Sequence, residues 1–338
     1  MAKDFPWFKS YPTGIPHEIG PLEYQSLVDL FQSASTKFRS KIAYENLGGR
    51  LTFGEVDRYS DYFGAYLQKE LGLKKGDRIA IQMPNLLQFP IAFIGALKAG
   101  LIVVNTNPLY TPREMEHQFK DAGVSAVVIL ENFANHLESI INRIPARHII
   151  VTRMGDMLGP FKGALVNFVV KKIKKMVPAY RLDSAISFKE VLSRGAELQL
   201  DKPAIDIDDL AVLQYTGGTT GVAKGAQLSH RNILAHNAMV THWFSPYLKA
   251  GRQDVIITAI PMYHIFGLTV NGVLMYSTGV TNVLITNPRD LSAFIKELKK
   301  YKFTIMTGVN TLFNGLLNHP RFKECDFSHL HGAIGGAM

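Results

Sequence analysis

Cysteine is almost missing from this sequence: Cys325 is the single thiol among 338 residues. No internal disulfide can form, and a reducing cytoplasmic setting is the natural expectation. No uninterrupted apolar run reaches the ~18 residues a bilayer span needs. The first residues, Met1-Ala2-Lys3-Asp4-Phe5, lack the apolar core of a secretory signal. The expectation is a cytoplasmic protein, soluble or peripheral on the cytoplasmic face of the membrane. Internal repeats and low-complexity tracts are also missing. With 47% hydrophobic and 19% charged residues, wholesale disorder is excluded. Acidic residues are in the minority, 28 against 37 Lys and Arg, for a net charge of +9. That surplus favours polyanionic partners: nucleic acid, anionic lipid, or phosphorylated ligands and coenzymes. No helix–turn–helix, zinc or aromatic RNA-binding pattern supports nucleic acid. His329 and His331 alternate as on a strand, with no cysteine or third histidine nearby, and read as non-metal.

What is present alternates between helix and strand. Leu27, Leu30, Phe31 and Ala34 recur at helical spacing. Thr52-Phe53-Gly54-Glu55 is a capping box, each side chain able to satisfy an orphan amide, and opens a helix burying Val56, Tyr59, Phe63 and Tyr66. Arg78–Met83 reads as a strand, Ile91–Lys98 as a helix ended by Gly100, and Leu101–Val104 as a β-branched strand. Thr111-Pro112-Arg113-Glu114 is a second capping box, with proline at the first helical position. Ser125–Leu130 and His148–Val151 read as strands, as do Leu210–Tyr215, Val255–Ile260 and Phe303–Met306, and Leu291, Phe294, Ile295 and Leu298 mark a helix. The fold class is α/β, sheets with helical layers. A first lobe is expected over 1–200 and a second over 201–338.

Residues 155–178 break this rhythm. Leu165, Val166, Val169, Ile173 and Met176 fall at roughly helical spacing, with Lys171, Lys172, Lys174 and Lys175 among them. Such a basic amphipathic segment, 162–181, either lies on an anionic membrane surface or docks on its own domain with its lysines in water.

The most informative run is Tyr215-Thr216-Gly217-Gly218-Thr219-Thr220-Gly221-Val222-Ala223-Lys224-Gly225, which directly follows an apolar strand. Its four glycines permit close backbone approach and positive φ, so successive amides can converge on an anion. Thr216, Thr219 and Thr220 add hydroxyls, one of them able to reach a phosphate-bound Mg²⁺. Lys224 supplies a mobile point charge suited to polyphosphate. The usual P-loop ends in Gly-Lys-Ser/Thr and opens a helix. Here Lys224 stands between Ala223 and Gly225, and Ala226-Gln227-Leu228 looks like a strand, with Ser229 capping a helix through Ile233 and Ala238. A plain hairpin turn needs two or three such residues, not the whole run.

This run resembles the signature loop of the adenylate-forming (AMP-binding) superfamily, with Gly217 in place of a serine and Ala223 in place of a proline. Both departures are shared with the bacterial long-chain fatty-acid-activating ligases. The likeness extends through 73–78, Met83-Pro84-Asn85-Leu86, 107–114, Thr286-Asn287-Pro288-Arg289-Asp290 and 307–313. The resemblance implies the large N-terminal domain of that fold and conversion of fatty acid, ATP and coenzyme A to acyl-CoA, AMP and pyrophosphate through acyl-AMP. It implies that Tyr215 to Gly221, Lys224 and Gly225 hold the phosphates and that Thr216 faces Mg²⁺. His264, in Pro261-Met262-Tyr263-His264-Ile265-Phe266-Gly267, would orient the carboxylate. Phe266 and Thr311 would line the acyl pocket, and Gly335-Gly336-Ala337 would pass between adenine and acyl group. Homodimers are frequent in the family. The family's later elements, a Tyr-Gly-x-Thr-Glu segment, a ribose-binding aspartate and a small C-terminal domain with an adenylation lysine, would follow Met338. The large domain is therefore expected to be incomplete, with the last strand, His331 onward, at an open sheet edge. Two other readings stay open: a non-catalytic acyl-binding or membrane-docking module, and a ligase that stops at acyl-AMP.

Overall fold

Short runs of Val, Ile and Ala buried on both faces assemble into parallel sheets, and helices must then cover those faces. The computed structural model describes residues 5–216, 223–245, 247 and 252–336. One sheet has seven strands in the order β7 (Ala185–Ser187), β6 (His148–Thr152), β5 (Val124–Leu130), β3 (Arg78–Gln82), β4 (Ile102–Asn105), β8 (Leu210–Thr216), β9 (Lys224–Ser229). Only the β8–β9 pair is antiparallel. The other has six: β13 (Gly332–Gly335), β12 (Ile305–Gly308), β10 (Val255–Thr258), β11 (Thr281–Leu284), β1 (Ile42–Asn46), β2 (Gly49–Thr52). There only β1–β2 is antiparallel. Strands cross the expected division at residue 200 in both directions: β8 and β9 extend the sheet of the first stretch, and β1 and β2 join that of the second.

Helices α1 (Leu27–Lys37), α2 (Phe53–Lys69) and α3 (Gln88–Lys98) share one apolar cluster with the inner face of the seven-stranded sheet. Every residue of α3 is buried, as a helix enclosed on all sides must be. Its terminal Lys98 is matched by Asp57 and Asp61 of α2, at 2.6 and 2.7 Å. On the outer face, α4 (Pro112–Asp121) and α5 (Ala134–Ile140) contribute Met115, Phe119, Leu137 and Ile140 to a second cluster. The chain continues through α6 (Pro160–Phe168), α7 (Phe188–Gly195) and α8 (His230–Phe244). A π-helix, Gly267–Leu274, runs into α9 (Met275–Ser277). Last come α10 (Leu291–Leu298) and α11 (Asn310–Leu317), which pack on the six-stranded sheet.

Both expected capping boxes form, Thr52 with Glu55 and Thr111 with Glu114, and Ser229 makes a third with Asn232. Of the side chains expected to be buried on α2, Val56, Phe63 and Tyr66 are, whereas Tyr59 is half-buried. The α3 helix starts three residues before Ile91, at Gln88, whose buried side-chain amide donates to Thr152 Oγ1 and the Arg153 carbonyl at 3.1 and 2.7 Å. The strand expected from Phe303 begins at Ile305, and Phe303 instead fills the core beneath it. Likewise β13 begins only at Gly332, so His329 and His331 lie outside the strand on which they were expected to alternate. β13 is the edge of its sheet. No helix among the described residues is long and apolar enough to cross a membrane.

Candidate active site at the strand carboxyl ends

Ligands of open parallel sheets bind beyond the carboxyl ends of the strands. Here the carboxyl ends of both sheets converge on one cavity of about 880 Å³. Asn85, Pro108, Leu130, Ile260, Asn287 and Thr311 line it, each just past the end of a different strand or at its last residue. The lining is mainly apolar, with Arg289 as its cation.

The glycine- and threonine-rich run is attached at one side of this region. Gly217, Gly218, Thr219, Thr220, Gly221 and Val222 lie outside the described residues, as does Ala337. The two ends of the run are described, and they are cross-strand partners: Thr216 stands opposite Lys224 and Tyr215 opposite Gly225. Both Thr216 and Lys224 are exposed. Gly225 is required by close approach, since a Cβ there would sit 2.9 Å from the Tyr215 ring. The α4 helix braces both ends. The Tyr215 hydroxyl donates to Asp121, and His117 Nε2 donates to the Ala223 carbonyl at 3.0 Å. Burial, with Asp121 adding to it, raises the Tyr215 pKa and keeps the phenol protonated.

His264 follows β10 in a turn held by a residue far away in sequence. Asn85 donates to the carbonyls of Thr258 and Ile260 at 3.0 and 3.1 Å and accepts from the Met262 amide at 2.8 Å. A second tie comes from β8, the strand that leads into the glycine- and threonine-rich run. Asn105 of β4 donates to Gln214 of β8 at 3.1 Å, and Gln214 in turn donates to the Tyr263 carbonyl at 3.2 Å. The His264 ring is exposed. Its Nδ1 accepts from the Phe266 amide at 3.3 Å, which leaves the neutral ring's proton on Nε2. Partial desolvation holds its pKa below the ordinary histidine value. A neutral Nε2–H donor suits an incoming carboxylate without protonating it.

The remaining candidates separate into two groups. Thr311 lies on the cavity wall, on the exposed side of α11 near its start. Phe266 is not part of that wall: it packs with Val270 and Ile334. A Cβ on Gly336 would meet the Phe266 ring at 2.7 Å, so the bare backbone at the end of β13 accommodates the ring. Gly335 leaves ordinary contact distance, 3.9 Å, to Phe313 and Asn310. The structure thus pairs Thr216 with Lys224, ties their strand to the turn that carries His264 through Gln214, and sets Phe266 with Gly336 outside the cavity that Thr311 lines. Asn85, Gln214, His117 and Asp121 received no role from sequence reasoning. Asn85 carried the one available signal, its place in the resembling run Met83-Pro84-Asn85-Leu86.

The fold is an α/β domain with two mainly parallel sheets, and the chain belongs to the AMP-binding enzyme family, whose model matches residues 31–338. Among curated relatives, the long-chain-fatty-acid–CoA ligase of Salmonella typhimurium is 54% identical over 332 residues, 98% of this chain and 59% of that protein. The chain therefore spans about 59% of the length of such relatives. Among solved structures, an anthranilate CoA ligase in complex with anthranoyl-AMP matches with a TM-score of 0.77 at 21% identity, over 93% of this chain and 55% of that one. A long-chain-fatty-acid–CoA ligase from Archaeoglobus fulgidus matches at a TM-score of 0.75 and 21% identity, over 97% and 60%.

Proposed function

We propose that this chain binds ATP and a long-chain fatty acid and takes part in fatty-acid activation. A carboxylate oxygen attacks the α-phosphorus of ATP and expels pyrophosphate. The thiolate of coenzyme A then attacks the acyl carbonyl and expels AMP. Each step swaps one leaving group for one nucleophile, so no oxidant or reductant is needed. The observation that carries the reading is the tie through Gln214, which links the strand bearing Thr216 to the turn bearing His264, beside an apolar cavity. The 54% identity to a long-chain-fatty-acid–CoA ligase favours a fatty acid over other carboxylates.

In this reading Lys224 neutralises β- and γ-phosphate charge, and the described hydroxyl, Thr216, fits a phosphate-bound Mg²⁺ as a hard oxygen donor. The glycine and threonine run between them, Gly217 to Gly221, supplies amides to the phosphates. His264 donates from Nε2 to the carboxylate and holds it for in-line attack. Gly335, where a Cβ would stand 3.9 Å from its nearest side-chain atoms, would let the adenine and acyl group pass, with Gly336, whose open side holds the Phe266 ring, and Ala337 beyond it. The basic segment 162–181 brings the protein to the anionic cytoplasmic face of a membrane.

The test is fatty-acid-dependent ATP–pyrophosphate exchange, with direct binding of Mg·ATP as the companion measurement. Exchange that Lys224→Ala and His264→Ala each reduce at least about 100-fold supports the reading. A folded protein that binds neither ATP nor fatty acid overturns it.

A further inference from the structure

Strands β8 and β9 run on past the sheet they belong to. β4 accompanies β8 only as far as the pair Asn105–Gln214. The two pairs that follow, Tyr215–Gly225 and Thr216–Lys224, have no third strand beside them among the described residues. β9 is also the outer edge of its sheet, and Lys224, Ala226 and Gln227 on it are exposed. A two-stranded ribbon twists more than a full sheet and is marginally stable by itself. Yet this overhang carries Thr216 and Lys224, the hydroxyl and the cation whose separation has to match a chain of phosphates.

One face of α4 catches the overhang from the side. His117 and Asp121 are four residues apart and hence neighbours on that face. His117 Nε2 donates to the carbonyl of Ala223, the residue before Lys224, at 3.0 Å. Asp121 accepts from the hydroxyl of Tyr215, the residue before Thr216. Each leg is thus held one residue short of the side chain it presents. Tyr215 and Ala223 also join the outer apolar cluster that Met115 and Phe119 of α4 fill. The helix is itself anchored: Met115 and Phe119 are fully buried, and Gln118 Nε2 donates to the Asn105 carbonyl at 3.0 Å. That bond reaches β4 at its last residue, so the helix takes over where the strand stops.

Asp121 is a poor choice for the helix alone. It is the last residue of α4, where the helix dipole is negative and a carboxylate is disfavoured. A residue kept against local preference has its reason in a tertiary contact, here the Tyr215 hydroxyl. Tyr215 was expected among the residues that hold the phosphates; its hydroxyl is engaged by α4 instead.

We propose that His117 and Asp121 are positioning residues for a polyphosphate: acting through Ala223 and Tyr215, they set the separation of Thr216 and Lys224 without touching the phosphates. The proposal rests on reading Thr216 and Lys224 as phosphate-binding.

The experiment measures binding of Mg·ATP and of palmitate to the 338-residue protein by calorimetry, with amide hydrogen exchange alongside. Tyr215→Phe and Asp121→Leu remove the same bond from either side, and His117→Phe removes the other. Each should weaken Mg·ATP binding about 5-fold and speed exchange at residues 215–216 and 223–225 by about the same factor. Palmitate affinity should stay within about twofold, because neither bond touches the apolar cavity. Combining Tyr215→Phe with Asp121→Leu should cost no more than either alone. Asp121→Asn and His117→Gln, which keep an acceptor and a donor, should come within about twofold of the wild type. Mg·ATP affinity unchanged in all three disrupting variants overturns the proposal. Equal losses of Mg·ATP and palmitate binding also overturn it, since the ties would then serve only the fold. A wild-type protein that binds no Mg·ATP sinks the phosphate reading and this proposal with it, whereas unchanged exchange in the variants sinks the brace alone.

Discussion

His230 predicts a specific acid weakness. Its Nδ1 accepts from the Leu27 amide at 3.1 Å, joining the first residue of α1 to the first of α8 across 203 positions of sequence. The ring is 3% exposed, and burial pushes its pKa down to about 4 from an ordinary 6.5. Asp209 and Asp29 act against the shift and Lys75 with it, so desolvation decides the direction. Protonation would place a second N–H against an amide that has only the ring to bond. A base whose folded pKa is depressed contributes full stability above its unfolded value. That contribution is lost as pH falls from 6.5 toward 4. For values of 6.5 and about 4, linkage gives a loss of about 2 kcal/mol between pH 7.5 and pH 5. Urea unfolding at several pH values, on the wild type and His230→Asn, isolates this term. The Asn Oδ1 can accept from Leu27 but has no proton to gain. The difference in unfolding free energy between the two proteins should shrink by about 2 kcal/mol over that interval. A difference constant with pH would refute the reasoning.

Three further predictions come from contacts already described. Lys98→Met should cost about 3 kcal/mol in urea unfolding, because Asp57 and Asp61 then face each other beside a buried methionine; a loss below about 1 kcal/mol would mean that their exposed edges rehydrate. Asn85→Ala should cost on the order of 3 kcal/mol, since three buried hydrogen bonds to residues 258–262 are lost together, and should also weaken fatty-acid binding. Gly336→Ala should destabilise by about 1–3 kcal/mol through the 2.7 Å contact with Phe266. Adding Phe266→Ala should recover part of that loss, and strict additivity of the two changes would count against the contact.

Local chemistry was readable in the sequence because its signals are local. A capping box needs four consecutive residues, and all three in α2, α4 and α8 form where Thr52, Thr111 and Ser229 stand. Core strands were legible where they were uniformly β-branched. By contrast β11, Thr-Asn-Val-Leu, escaped notice: Asn282 in its middle looks like a turn residue. It is buried, with Thr258 Oγ1 donating to its Oδ1 at 2.8 Å while its Nδ2 has no hydrogen-bond partner among the described residues. The glycine-rich run and the turn around His264 were visible as motifs, yet nothing in sequence says that the strand leading into the run is tied to that turn. Gln214 joins them over a separation of 49, and Asn85 reaches Ile260 over 175. Nor could periodicity tell which face of α6 points outward. Apolar spacing is the same whether a helix buries that face or presents it, and the Gly155–Gly163 approach settles the matter. Hydrogen bonds along the backbone and side-chain periodicity repeat within a few residues, so the sequence alone determined the elements. Close packing between residues far apart in the chain exists only once the sheets have formed, so the tertiary structure alone decided what those elements meet.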